Sequence, residues 1–243
     1  MNLFRILSVV LMTSWLTGCG GGGGATTIRE VLGLATLSGT AAGGAAIVGT
    51  VQVTDSSTPP KTKGVLIDAD GKYTIDVSGM TSPFVLKAHG TVGNTTVTYY
   101  SAAVLADVGN TVNVTPFTDI MISNISAQMA QNCFADMAHP CISLKEKLTP
   151  ENLVKAQADL QAKLLPVVRN LGLSESIDFL RASFATDHTG MDSVIDMLKI
   201  EVDPVTNTAV LRNGITGDEI GRMDPKTEVG RRDPVDSSKL TGI

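Results

Sequence analysis

The hydrophobic pattern of this chain changes at Thr115-Pro116, and that change restricts the folds it can adopt. Before it, short segments alternate apolar and polar residues between turn residues, whereas after it apolar residues recur at steps of three and four. Alternation is typical of half-buried β-strands, and the three-to-four spacing is typical of amphipathic helices. The chain is therefore expected to be an α+β protein with its strands first and its helices second.

The segment before residue 116 predicts a β-sandwich. It holds about seven short alternating runs with turn residues between them, which is the pattern of sandwich domains. Residues 46–54 and 73–77 alternate clearly, and residues 111–114 are the last of the runs. The pair Asp70-Gly71 lies between two runs and is a hairpin signal. We expect an antiparallel sandwich over residues 37–115.

The segment over residues 116–221 predicts a mainly α-helical region that ends in a short β-hairpin. Thr115 and Thr149 each precede a proline, which indicates an N-cap followed by the first helical residue. A further helix is expected from Glu175 to about Ala185, with Ser174 as its N-cap. Residues 199–211 alternate around a turn and predict the hairpin.

Both ends of the chain are expected to lie outside these two domains. Arg5 precedes an apolar run of about 11 residues, which suits a signal peptide over residues 1–18 and is too short to span a bilayer. Five glycines follow Cys19, so residues 19–36 are expected to form a flexible tether. Residues 222–243 are polar, charged and interrupted by Pro and Gly, which predicts a disordered tail.

The end of the apolar run, Leu16-Thr17-Gly18-Cys19, resembles the bacterial lipobox. The resemblance implies that the Cys19 thiol is diacylated, that the chain is cut after Gly18 and that the new amine is acylated. Two or three acyl chains would anchor the protein stably, which makes membrane lipid an expected partner. In Gram-negative lipoproteins an Asp after the Cys often means retention in the inner membrane, so Gly20 implies the outer membrane. The alternative is an ordinary signal peptide cleaved nearby.

The strand-rich segment carries a second resemblance. Three runs of residues, taken in chain order, resemble the carboxypeptidase-regulatory-like domain. They are Leu37-Ser38-Gly39-Thr40, then Gly49-Thr50-Val51, and then residues 68–77, which read Asp-Ala-Asp-Gly-Lys-Tyr-Thr-Ile-Asp-Val. The resemblance covers residues 37–115. It implies a transthyretin-type, Ig-like sandwich that serves packing or presentation and brings no catalytic residues. The chain is also similar to a group of proteobacterial lipoproteins for which we know no established activity.

Cys133 and Cys141 are the two cysteines left after lipidation of Cys19. An even pair in an exported protein favours a disulfide, which would close a short local loop. Two buried thiols are the alternative. A metal site at this place would need further His or Cys ligands, and only His139 lies near in the sequence.

The charge of the chain limits its partners. It has 19 basic and 24 acidic residues, a formal net charge of −5, and only 4% of its residues are aromatic. A basic surface is needed to bind nucleic acid, so nucleic acid is not expected as a partner. The scarcity of aromatic residues also disfavours carbohydrate binding by ring stacking.

Asp187, His188 and Asp192 are the nearest the sequence comes to an acid/base cluster. Adjacent residues on a helix point in different directions, so a regular helix would not bring these three side chains to one place. A solvated loop between helices is the simpler interpretation. The sequence has no Gly-x-Ser-x-Gly, His-Glu-x-x-His, phosphate-loop or Cys-x-x-Cys motif. No catalytic residue, cofactor or metal site is therefore predicted.

These observations favour a non-enzymatic outer-membrane lipoprotein that acts as a structural, interaction or ligand-presenting module, with an envelope protein as a possible partner. The alternative is a periplasmic binding or accessory subunit whose sandwich and helices enclose a ligand. A hydrolase with a site built from distant residues is less favoured. A deep cleft that gathers Asp187, His188 and Asp192 would support the last two hypotheses. An exposed sheet edge would support the first, since such an edge can add a partner strand.

Overall fold

The computed structural model describes residues 35–133, 142–203, 205–226 and 233–242. Within them the strands are β1 (Thr36–Thr40), β2 (Val48–Thr54), β3 (Thr62–Leu66), β4 (Lys72–Asp76), β5 (Phe84–Val92), β6 (Thr95–Ala103), β7 (Leu198–Asp203), β8 (Thr208–Asn213) and β9 (Glu219–Met223). The α-helices are α1 (Pro116–Ser126), α2 (Ala130–Cys133), α3 (Ile142–Lys147), α4 (Pro150–Asn170) and α5 (Gly190–Met197). The described residues belong to one compact unit.

The strands form antiparallel sheets of four, two and three strands. The largest has the order β3-β2-β5-β6, while β1 pairs with β4, and β7, β8 and β9 form the third sheet. The register places apolar residues opposite one another: Val51 lies opposite Ala88, and Leu37 lies opposite Ile75. All four side chains are buried. The alternating residues of the sequence thus supply the buried faces of the first two sheets.

The predicted fold class is wrong. Residues 116–221 are not mainly α-helical, because residues 171–189 are irregular and β9 extends the predicted hairpin, β7-β8, into a three-stranded sheet. In the first half the described strands are fewer than the alternation predicted, and they divide into a sheet of four and a pair rather than the expected Ig-like sandwich. Residues 111–114, expected to be a strand, do not form one: they contact residues 38–42 through two isolated parallel bridges and through backbone hydrogen bonds, such as that from the amide of Val112 to the carbonyl oxygen of Ser38 at 2.7 Å.

The helix predicted over residues 175–185 is also wrong, since the chain is irregular there. Side chains of α4 satisfy the backbone in place of helical hydrogen bonds. Gln157 Nε2 and Gln161 Nε2 both donate to the carbonyl oxygen of Ile177, at 2.8 and 2.7 Å. Gln157 Oε1 accepts from the amide of Phe179 at 3.1 Å. Tertiary hydrogen bonds from α4 therefore override the helical pattern of this segment.

One hydrophobic core includes residues from both halves of the chain. The buried rings of Phe117 and Phe179 have centroids 4.9 Å apart. The buried Asn113 connects the same regions: its Oδ1 accepts from the amide of Thr40 at 3.2 Å, and its Nδ2 donates to the carbonyl oxygen of Ala182 at 2.8 Å. The predicted boundary at residue 115 therefore does not separate two cores.

The two predicted helix starts are confirmed. Thr115 Oγ1 accepts from the amide of Thr118 at 3.4 Å, and Thr118 Oγ1 accepts from the amide of Thr115 at 2.9 Å, which is a reciprocal capping arrangement. Thr149 Oγ1 accepts from the amide of Asn152 at 3.2 Å at the start of α4. In both helices the proline after the cap occupies the first turn, where its missing N–H costs no hydrogen bond.

The start of α1 also covers the outer edge of β6. This strand is at one end of its sheet, so part of its backbone has no neighbouring strand. Thr118 Oγ1 donates to the carbonyl oxygen of Tyr100 at 2.9 Å, and Asp119 Oδ1 accepts from the amide of Tyr100 at 3.0 Å. Two adjacent helix side chains thus take the place of the missing strand at this residue.

The tail predicted to be disordered is packed over residues 233–242. Val235 and Leu240 are buried. The amide of Val235 donates to the carbonyl oxygen of Lys163 at 2.9 Å, and the amide of Asp236 donates to the carbonyl oxygen of Ile220 at 2.7 Å. Two apolar residues and these backbone hydrogen bonds fix a segment whose average composition suggested disorder.

Several sequence predictions fall on residues outside the described ranges. They concern the signal peptide over residues 1–18, lipidation at Cys19, the tether up to residue 34 and Cys141, and for Cys133 only the backbone is described. The disulfide and the lipid anchor stay predictions. None of the described helices has the length and apolar content needed to cross a membrane.

Replacing Asp119 by Asn tests the contact at the sheet edge, because Asp119 makes the unfolding free energy depend on pH. Burial raises the pKa of Asp119 from 3.8 to about 7, and the hydrogen bond from Tyr100 opposes this rise. The folded state therefore holds a proton that the unfolded state has released, and the unfolding free energy falls as pH rises between about 4 and 7. The slope for one proton is at most about 1.4 kcal/mol per pH unit. We expect Asp119→Asn to lose this slope in urea unfolding measured across the window.

At each pH, the unfolding free energy of the variant is subtracted from that of the wild type. This difference cancels the contributions of the titratable groups that both proteins share. Tyr99 and Tyr100, which lie near Asp119, stay neutral in this window because burial raises the pKa of each. A difference that does not change with pH would contradict a desolvated carboxyl at this edge.

Candidate functional site

The segment leading into α5 has an unusual backbone. His188 has φ of 64° and Gly190 has φ of 55°, with the helix N-cap residue Thr189 between them. A left-handed conformation is uncommon for residues other than glycine, although histidine adopts it more often than most. The turn places the His188 side chain at the start of α5, on the side where the acidic residues of that helix lie.

Carboxylates hold this turn in place. Asp192 Oδ2 accepts from the amide of His188 at 2.9 Å. Asp187 Oδ1 accepts from the amide and the hydroxyl of Thr189, at 3.0 and 2.7 Å. These bonds satisfy donors near the helix start, where negative charge is also favoured by the helix dipole.

The structure brings His188 and Asp192 together and adds Asp196. His188 Nδ1 lies 2.8 Å from Asp196 Oδ2. One possible ligand atom from each of the three residues lies within 4.8 Å of the other two. Asp187, the third residue of the predicted cluster, directs a carboxylate oxygen to Thr189. Sequence reasoning missed Asp196, although the spacing of four residues from His188 to Asp192 and from Asp192 to Asp196 is the signal for one helix face.

Asp192 is a buried carboxyl with one oxygen unpaired. Its residue exposure is 0%, and its Oδ1 has no hydrogen-bond partner. Burial raises the pKa of Asp192, the hydrogen bond from the His188 amide lowers it, and the negative charge of Asp196 raises it further. Buried polar atoms are almost always paired, so this oxygen indicates that a donor or a cation completes the site.

His188 is the exposed member of the cluster, with 73% of its side chain accessible. The hydrogen bond to Asp196 and the charge of that carboxylate raise the pKa of His188. The imidazole is therefore held by Asp196 on one side and open to solvent elsewhere, so a ligand can reach the cluster without passing through the protein.

A glycine loop from the first half of the chain packs against the cluster. A Cβ atom at Gly44 would lie 3.1 Å from Asp196 Oδ1, and one at Gly43 would lie 2.8 Å from the ring of Tyr99. Gly44 also has φ of 89°, a conformation that side chains rarely allow. The backbone of this loop therefore limits the positions that the Asp196 carboxylate can take.

The donor set is one imidazole and two carboxylates. Imidazole suits zinc, copper, iron and nickel, while carboxylates also suit harder cations, and an all-oxygen set would be expected for calcium. Three protein ligands that leave positions open to solvent are typical of accessible divalent sites. The chemistry of the cluster therefore fits a divalent transition cation of the zinc class.

Comparison with known proteins gives no relative: no protein-family model matches the chain, and no curated protein or solved structure matches it. The resemblances to the lipobox and to the carboxypeptidase-regulatory-like domain thus stay predictions. The function has to be inferred from the geometry of the residues themselves.

Replacing Gly44 by Ala tests whether the loop positions Asp196. We expect the new Cβ to displace the carboxylate from His188, and the pKa of His188 to fall because Asp196 is the main cause of its rise. NMR titration of the His188 ring measures this shift. We also expect a loss of about 1–2 kcal/mol in unfolding free energy from the strained backbone.

Gly79→Ala is the matched control. Gly79 also has a positive φ, of 74°, but a Cβ there would meet nothing within 4 Å. Both variants should lose stability, and only Gly44→Ala should lower the pKa of His188. An equal pKa in the two variants would mean that the loop does not position Asp196.

Proposed function

We propose that this protein is a lipid-anchored envelope protein that acts without catalysis and holds a divalent cation at His188, Asp192 and Asp196. The observation that carries the cation site is the convergence of three ligand atoms within 4.8 Å of one another. The proposed attachment rests on the sequence Leu16-Thr17-Gly18-Cys19, with Cys19 as the acylated residue and the outer membrane as the location.

The state of Asp192 supports the cation site independently. A buried carboxylate oxygen without a partner is unfavourable, and a bound cation would compensate its charge directly. The hydrogen bond between its other oxygen and the amide of His188 fixes the direction of the carboxyl group. Orientation of ligands by such outer hydrogen bonds is common in metal sites.

Binding is favoured over catalysis because three converging ligand atoms are enough to hold a cation, whereas catalysis also needs a site for a substrate. With 73% of its side chain accessible, His188 leaves the cluster open to a cation from solvent. The cluster lies on one short helix and its preceding turn, and we infer that it presents or retains the cation at the surface of the folded unit.

The first test concerns the lipid anchor. We expect the intact mass of the full chain, expressed in a Gram-negative host, to equal that of a chain starting at Cys19 with a diacylglycerol and a fatty acid attached. Cys19→Ala should remove that mass and release the protein from the membrane fraction. A soluble wild type that is cut elsewhere would contradict the anchor and leave the cation site unaffected.

The second test measures zinc binding by isothermal titration calorimetry on the full chain. Loss of one ligand of three should weaken binding by about tenfold or more, so His188→Ala and Asp196→Asn should both bind zinc at least that much more weakly than the wild type.

His89→Ala is the matched control, because His89 is also exposed and its Nδ1 lies 2.8 Å from a hydroxyl, that of Thr98. It should bind zinc as the wild type does. Any zinc held at Cys133 and Cys141 would still bind to His188→Ala, so this variant distinguishes zinc at the cysteines from zinc at the His188 cluster. A wild type that binds no zinc, or a His188→Ala variant that binds as tightly as the wild type, would contradict the proposed cation site.

A further inference from the structure

A pocket of about 270 Å³ lies between the end of α1, the end of α3 and the first half of α4. Asn124, Lys147 and Asp159 belong to its lining, one from each of these helices. One water molecule in the liquid takes about 30 Å³, so the pocket has room for a small organic molecule.

Asn124 is the unusual residue of this pocket. It is 3% exposed, and neither its Oδ1 nor its Nδ2 has a hydrogen-bond partner. An unpaired buried amide destabilises a fold, whereas an apolar residue of the same size would not. Leu also has a higher helix propensity than Asn. The presence of Asn124 therefore points to a ligand that supplies one donor and one acceptor to its amide.

The charges around the pocket specify the ligand further. Lys155 Nζ lies 3.0 Å from Asp159 Oδ2, which balances one positive charge with one negative charge. Lys147 has no ion-pair partner among the residues described here. Asn152 Nδ2 donates to the carbonyl oxygen of Lys147 at 2.8 Å and fixes the end of α3 against α4. The lining thus carries one uncompensated positive charge, which favours an anionic group.

We propose that this pocket binds a small carboxylic acid with a hydroxyl or amino group next to its carboxylate. The carboxylate would meet Lys147 and accept from Asn124 Nδ2, and the adjacent hydroxyl or amino group would donate to Asn124 Oδ1. A short apolar substituent would contact Ile125 and Ala156, which also line the pocket. This site uses no residue of the His188 cluster, so it stands or falls independently of the proposed cation site.

The test uses L-lactate and L-serine as probes and acetate as a carboxylate that lacks the donor. In ¹H–¹⁵N NMR titrations of the full chain, the wild type should bind lactate or serine at millimolar concentration and acetate more weakly. Asn124→Leu should weaken binding by at least about tenfold. The same variant should be more stable than the wild type without a probe, because it removes an unpaired amide.

Asn113→Leu is the control for stability. Asn113 is equally buried, but both ends of its amide are paired, with Thr40 and Ala182. The Asn113→Leu variant should be less stable than the wild type, whereas Asn124→Leu should be more stable. If Asn124→Leu does not fold, Lys147→Gln decides the question, because this partly exposed residue can be changed without opening the core. A wild type that binds neither lactate nor serine would overturn the proposal, as would unchanged affinity in Asn124→Leu or in Lys147→Gln.

Discussion

The hydrogen bonds between the start of α1 and the edge of β6 fix this helix against the first sheet. Thr118 Oγ1 interacts with the backbone of Thr115 and with the carbonyl oxygen of Tyr100, so the same hydroxyl serves the helix cap and the sheet edge. Asp119 completes the edge by accepting from the amide of Tyr100. The position of α1 in turn places the ring of Phe117 against the ring of Phe179 in the shared core. Helix start, sheet edge and core packing are thus coupled through three consecutive residues.

The unpaired polar atoms of the interior are concentrated at the two proposed sites. In the part of the chain that the structure describes, four buried side-chain nitrogen or oxygen atoms have no hydrogen-bond partner, and three of them belong to Asn124 and Asp192. Folded proteins contain few such atoms, and each needs a physical explanation. A cation beside Asp192 and a small acid beside Asn124 would supply the missing partners. The two sites differ in kind, since one is an exposed cluster on a helix and the other is a pocket between helices.

The sequence was informative where local chemistry decides the structure. The caps at Thr115 and Thr149 could be predicted because a threonine before a proline satisfies the first amides of a helix by itself. The inward faces of β2 and β4 could be predicted because alternation fixes which residues face the core. These features need only neighbouring residues, so no knowledge of distant contacts is required.

Features that depend on distant residues were not predictable in the same way. The helix expected over residues 175–185 is replaced by irregular chain because Gln157 and Gln161, on another helix, donate to the carbonyl oxygen of Ile177. Strand β9 pairs with β8 despite a charged sequence, and residues 111–114 bond to β1 without forming a regular strand. In the candidate site His188 and Asp192 were identified, but their meeting with Asp196 requires the left-handed turn at His188. The pocket at Asn124 is formed by three helices and has no signal in any one of them.

The packing of the last described segment affects how this protein can be made. Val235 and Leu240 enter the core, and the amide of Val235 bonds to the carbonyl oxygen of Lys163 in the middle of α4. A chain emerging from a ribosome or a translocation channel cannot form these contacts until residues 233–242 have also emerged. Until then the face of α4 around Lys163 and the edge near Ile220 lack this cover and are open to chaperones and proteases.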